Sequence, residues 1–114
     1  MKVFKFGGAS VKNARAIQNV ATILTQFSSD PLLIVVSAMG KTTNALEQIV
    51  ALAQSKKDFK SVLDTIHQYH SQVIEELGIT DPQFIQLFKK QFQEIEQSAT
   101  RAGEYDQVVS QGEI

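Results

Sequence analysis

Residues 32–36, LLIVV, form a run of five apolar side chains, three of them β-branched. The run is too short for a helix and has the composition of a strand covered on both faces. A second extended segment opens the chain, where Val3, Phe4 and Phe6 favour a strand. Between the two, Ile17, Val20, Leu24 and Phe27 recur on one helical face, which predicts an amphipathic helix from about 13 to 27, ended by Ser28, Ser29, Asp30 and Pro31. A strand, a helical crossover and a strand form a right-handed parallel βαβ unit. The fold class is therefore α/β. Both strands end at the same edge of the sheet, where open α/β sheets commonly hold ligands.

Each strand runs into a glycine-containing turn. At the first, Gly7 and Gly8 remove the Cβ atoms that keep a ligand from the main chain, and Lys5 brings a mobile ammonium beside them. Such a turn can meet a phosphate, although an isolated KxGG also describes a flexible turn with a solvated lysine. The second turn, Ser37 to Thr43, carries Gly40, Lys41 and Thr42 in the order of a P-loop. That reading fails at Val35, where the loop would need its first glycine. What survives is an anion-binding turn of backbone amides from Ala38 to Lys41, ahead of a helix. Lys41 itself reads as a solvated loop charge.

The remainder reads as helical. Asn44 and Glu47 match a capping box, followed by the apolar face Leu46, Ile49, Val50 and Ala53. Lys56, Lys57 and Asp58 break the pattern. Phe59, Val62, Leu63, Ile66, Val73, Ile74 and Leu77 then repeat at helical spacing, with Gly78 as a C-terminal cap. Asp81 is placed as an N-cap with Pro82 at the first helical position, and Phe84, Ile85, Phe88, Phe92 and Ile95 give a buried stripe that Gly103 ends or bends.

At 114 residues, 43% hydrophobic, the chain supplies one core. Eleven basic and twelve acidic side chains leave a formal charge of -1, so no global field draws it to nucleic acid or to a membrane surface. There is no cysteine, which excludes disulfides and thiolate zinc sites. No stretch approaches the roughly 18 apolar residues of a membrane span and no signal-peptide core is present, so a cytoplasmic location is expected. His67 and His70 lie three apart on a helix, with Glu75 and Glu76 further along. Lacking a third ligand, they read as an ordinary polar face rather than a metal site. The lysines at 56, 57, 60, 89 and 90 read as solvated surface.

Three segments, taken in order, resemble the aspartokinase branch of the amino acid kinase family. KFGGAS at 5–10 is similar to its first-strand motif, VVSAMGKTTN at 35–44 to its second, and DQVVSQGE at 106–113 to its third. The resemblance covers the whole chain. It implies the N-terminal part of the three-layer, carbamate kinase-like fold, with a βαβ unit at 1–44, a helical insertion at 45–104 and the start of the SQGE helix at 105–114. It implies an enzyme that phosphorylates the side-chain carboxylate of L-aspartate with ATP, giving 4-phospho-L-aspartate for lysine, threonine and methionine biosynthesis. Lys5 would stabilise the transferred phosphoryl group. Gly7, Gly8 and the turn through Ser37, Ala38 and Gly40 would offer amides, with Ser10 as a lesser contact. Thr43 and Glu113 would hold the amino acid, Glu113 meeting its ammonium. Mg2+ would bridge the ATP phosphates rather than sit in a protein cage.

Two departures from the family pattern matter. Ala9 stands where threonine is usual, removing one hydroxyl and leaving the lysine and glycines intact. Family members also continue through a nucleotide-binding half, so the resemblance implies an amino-acid-binding half that is inactive alone. With two readable strands the sheet is expected to be under-covered, and its open edge points to a homo-oligomer. The alternatives are an amino acid kinase for another carboxylate or a carbamate, and a non-catalytic helical interaction module.

Overall fold

The computed structural model describes residues 1–112, with side chains through Ala102. Glu113 lies outside the described residues. The chain divides into two compact units, Met1–Thr43 and Asn44–Ile114.

In the first unit, β1 (Lys2–Phe6) pairs in parallel with β2 (Leu32–Val36), Lys5 standing opposite Val35 and Phe6 opposite Val36. The crossover between them is α1 (Ala14–Thr25), as the periodicity predicts. Asn13 caps it: its backbone is extended and its side-chain oxygen accepts from the Ala16 amide at 2.8 Å. Phe4 packs against Phe6 and against Phe27, with ring centroids 6.2 and 5.0 Å apart, while Phe6, Val11 and Ala14 are buried. Side chains alternate along a strand, so Val3 and Lys5 take the face opposite Phe4 and Phe6. At the other end of β1, Lys2 reaches the Asp30 carboxylate at 3.3 Å and lies over the Phe27 ring.

The composition of β2 suits a strand with neighbours on both sides, and the described residues supply one. Leu33, Ile34, Val35 and Val36 are 41–56% exposed as a result, the under-covering expected from a sheet of two strands.

The second unit is helical. After α2 (Thr42–Gln54) come α3 (Lys60–Glu76) and α4 (Pro82–Gly112). Their core is Ile49, Ala53, Leu63, Ile66 and Ala99, with Leu46, Phe92 and Ile95 packed around it. Three expectations need correction. The capping box fails because α2 begins two residues before Asn44, which places Asn44 inside the first turn. Val50 and Phe84 are 47% and 43% exposed, so the buried stripes are narrower than the apolar pattern suggests. Helix α4 does not end at Gly103; glycine costs a helix only about 1 kcal/mol.

Both expected caps around residues 77–82 are formed. Gly78 takes φ 71°, its amide donates to the Glu75 carbonyl, and the Ile79 amide donates to the Ile74 carbonyl, the pair of bonds of a Schellman motif. Asp81 accepts from the Gln83 amide through Oδ1 at 3.1 Å. Among the described residues, no helix is long and apolar enough to cross a membrane.

Candidate active site

The parallel pairing of β1 and β2 brings their following turns together. The Ser37 amide donates to the Phe6 carbonyl at 2.9 Å, extending the ladder by one step. Beyond it, the Gly40 amide donates to the Gly8 carbonyl at 3.1 Å. A Cβ on Gly8 would lie 2.8 Å from the Gly40 carbonyl oxygen and 3.3 Å from that of Ala38, so the two turns meet only because position 8 has no side chain. Gly40 has φ 51°, a left-handed conformation that glycine adopts without strain.

Gly7 differs from both. Its backbone is extended (φ −77°, ψ 177°) and a Cβ there would meet nothing within 4 Å. Neither conformation nor packing within the described residues demands a glycine at 7. The missing side chain leaves the main chain bare beside open space. There the chain tightens into a 3-10 turn, Gly8–Val11, whose first bond runs from the Ser10 amide to the Gly7 carbonyl at 3.0 Å. The amides of Gly8 and Ala9 precede that bond and are the donors left to a ligand at this turn. On the second turn, the amides of Ser37 and Gly40 are consumed in joining the strands and turns.

Lys5 is exposed, on the sheet face opposite Phe4 and Phe6. Ser10, Ser37 and Ala38 are also exposed, and Thr43 is exposed in the first turn of α2. Sequence reasoning missed Thr42. Its residue is 9% exposed, and its hydroxyl is buried with no hydrogen-bond partner among the described residues. Nothing in the string KTTN tells which of two adjacent threonines turns inward.

His67 and His70 do not form the polar face expected of them. His67 packs against Phe88 and Phe92 with centroids 5.2 and 4.9 Å apart, and His70 places Nδ1 3.0 Å from the Ile66 carbonyl oxygen. They belong to an aromatic seam between α3 and α4. Among the described residues, no three metal-ligating side chains cluster.

A bare glycine turn thus follows the first-strand lysine and is closed by a second glycine turn. A model of the amino acid kinase family matches residues 1–113. The chain belongs to the amino acid kinase family. Aspartokinase 1, chloroplastic, of Arabidopsis thaliana is 35% identical over 97 residues, covering 82% of this chain and 17% of that protein. The chloroplastic bifunctional aspartokinase/homoserine dehydrogenase of Daucus carota is 39% identical over 69 residues, 60% of this chain and 8% of the relative. The crystal structure of Clostridium acetobutylicum aspartate kinase superposes with a TM-score of 0.67 at 27% identity, over 95% of this chain and 27% of its own. This amino acid kinase chain thus spans about a quarter of that structure and less of the curated relatives.

Proposed function

We propose that the chain is the amino-acid-binding half of an aspartate kinase, a cytoplasmic enzyme that transfers the γ-phosphoryl group of ATP to the side-chain carboxylate of L-aspartate. The observation that carries this reading is the junction of the two glycine turns beside Lys5, with Gly7 bare where nothing in the fold requires it. The similarity to aspartokinases supports the choice of substrate.

In this reading a carboxylate oxygen of aspartate attacks the γ-phosphorus, the bond to the bridging oxygen breaks, and ADP leaves with the electron pair. The product is an acyl phosphate. The protein contributes position and charge. Lys5 neutralises the developing negative charge on the phosphoryl oxygens, and the amides of Gly8 and Ala9 donate to them. Ser10 and Ser37 add hydroxyl contacts at the rim, and Thr43 and Glu113 hold the amino acid. The donors at these turns are ammonium, amide and hydroxyl, a set for an anion rather than for a cation. Bound Mg2+ would supply further neutralisation from the phosphate side.

Calorimetric titration with L-aspartate tests the reading. Saturable binding is expected, weakened at least tenfold by Lys5→Ala or Glu113→Ala, while ADP release by the 114-residue chain stays at background. Absent binding, or binding that both substitutions leave intact, overturns it. The exposed β2 further supports a homo-oligomer, and light scattering that finds a monomer at high concentration would count against that assembly.

A further inference from the structure

The helical unit holds a cavity of about 320 Å³ where α3 ends and α4 begins, walled by Ile74, Ile79, Ile85 and Phe88. Its lining belongs to the second unit, and the glycine turns belong to the first. Its size falls at the lower end of the range for small-molecule sites. The Schellman cap shapes it. The Ile79-to-Ile74 hydrogen bond folds Ile79 back toward the last turn of α3, and Gly78 at the lining adds no side chain.

Two charged side chains also line the cavity, Glu75 from α3 and Lys89 from α4. Neither takes part in an ion pair with another described residue. One anion and one cation on an apolar cavity select among ligand chemistries. An aliphatic carboxylate would meet Lys89 but leave its charge beside Glu75, and an aliphatic amine would have the reverse fault. A zwitterion with an apolar side chain satisfies both.

We propose that this cavity binds a free L-amino acid with a branched or aromatic apolar side chain, its ammonium toward Glu75, its carboxylate toward Lys89 and its side chain among the isoleucines and Phe88. The binding does not depend on the phosphate turns. Lys5→Ala leaves it unchanged, so its failure and the failure of the kinase reading are distinguishable.

The test is calorimetric titration of the chain with L-leucine and L-phenylalanine, with leucinamide and 4-methylpentanoate as ligands that each lack one charge. Saturable binding of at least one amino acid is expected, at least tenfold tighter than that of either singly charged analogue. Lys89→Ala and Glu75→Gln should each weaken it at least tenfold. Both positions are exposed, and unchanged thermal unfolding will show that the substitutions leave the fold intact. No saturable binding of either amino acid overturns the proposal. So does 4-methylpentanoate binding as tightly as leucine, which would identify an aliphatic-acid site, or affinity that survives both substitutions.

Discussion

The Gly40 amide donates to the Gly8 carbonyl oxygen across 3.1 Å, and the same approach puts the Gly40 carbonyl oxygen 2.8 Å from where a Gly8 Cβ would be. The obstructing atom is backbone and has no rotamer to escape into. Gly8→Ala must therefore separate the turns, with an expected loss of about 1–3 kcal/mol in urea unfolding. Gly7→Ala is expected to be neutral or to stabilise by up to about 1 kcal/mol, because its conformation suits alanine and its Cβ meets open space. Equal losses at the two glycines would contradict the different roles assigned to them.

Thr42, at the start of α2, buries a hydroxyl that has no partner among the described residues. An unmet buried polar group is a stability cost, and valine has nearly the same shape without it. Thr42→Val is expected to raise the unfolding free energy by about 1 kcal/mol. A destabilised variant would mean that the hydroxyl has a partner after all. Thr43→Val, at an exposed position one residue on, is expected to stay within about 0.5 kcal/mol of the wild type.

The βαβ unit is legible in the sequence because its signals are local and agree: an apolar run too short for a helix, a helical stripe, and Pro31 between them. The caps at Gly78 and Asp81 are legible for the same reason, since each is set by a residue with one dominant backbone or side-chain habit. The site was only partly legible. The glycines of both turns stand out, but that Gly8 is required by the approach of Gly40 while Gly7 is not depends on tertiary contact. The inward turn of Thr42 and the packing of His67 against the Phe88 and Phe92 rings are likewise long-range outcomes. Patterning also overstates burial, as at Val50 and Phe84, because it ranks faces without knowing how much surface another element covers.

Gly78 holds a left-handed conformation at φ 71°, and a Cβ there would meet no atom of the described residues within 4 Å. Any loss on substitution is then conformational rather than steric. Gly78→Ala is expected to cost about 1–2 kcal/mol. Gly78→Asn should cost less, since asparagine tolerates this region better than alanine. If alanine and asparagine cost the same, the loss has another origin.

Lys60 and Glu96 join α3 to α4 through a 3.2 Å ion pair whose side chains are 56% and 45% exposed. The hydrogen bond that Lys60 donates to the Glu96 carboxylate, then the charge of Glu96 and that of Asp64, raise the Lys60 pKa above its ordinary value. A lysine whose pKa is raised by folding contributes stability that is fully present below its unfolded pKa and disappears as pH rises through the folded one. The difference in urea midpoint between the wild type and Glu96→Gln should therefore be measurable at neutral pH and vanish once Lys60 is deprotonated in strongly alkaline solution. Because the pair is so exposed, the difference should be small and should shrink further with added salt. A difference that persists unchanged beyond the alkaline titration of Lys60 would assign the effect of Glu96 to packing of its side chain instead of its charge.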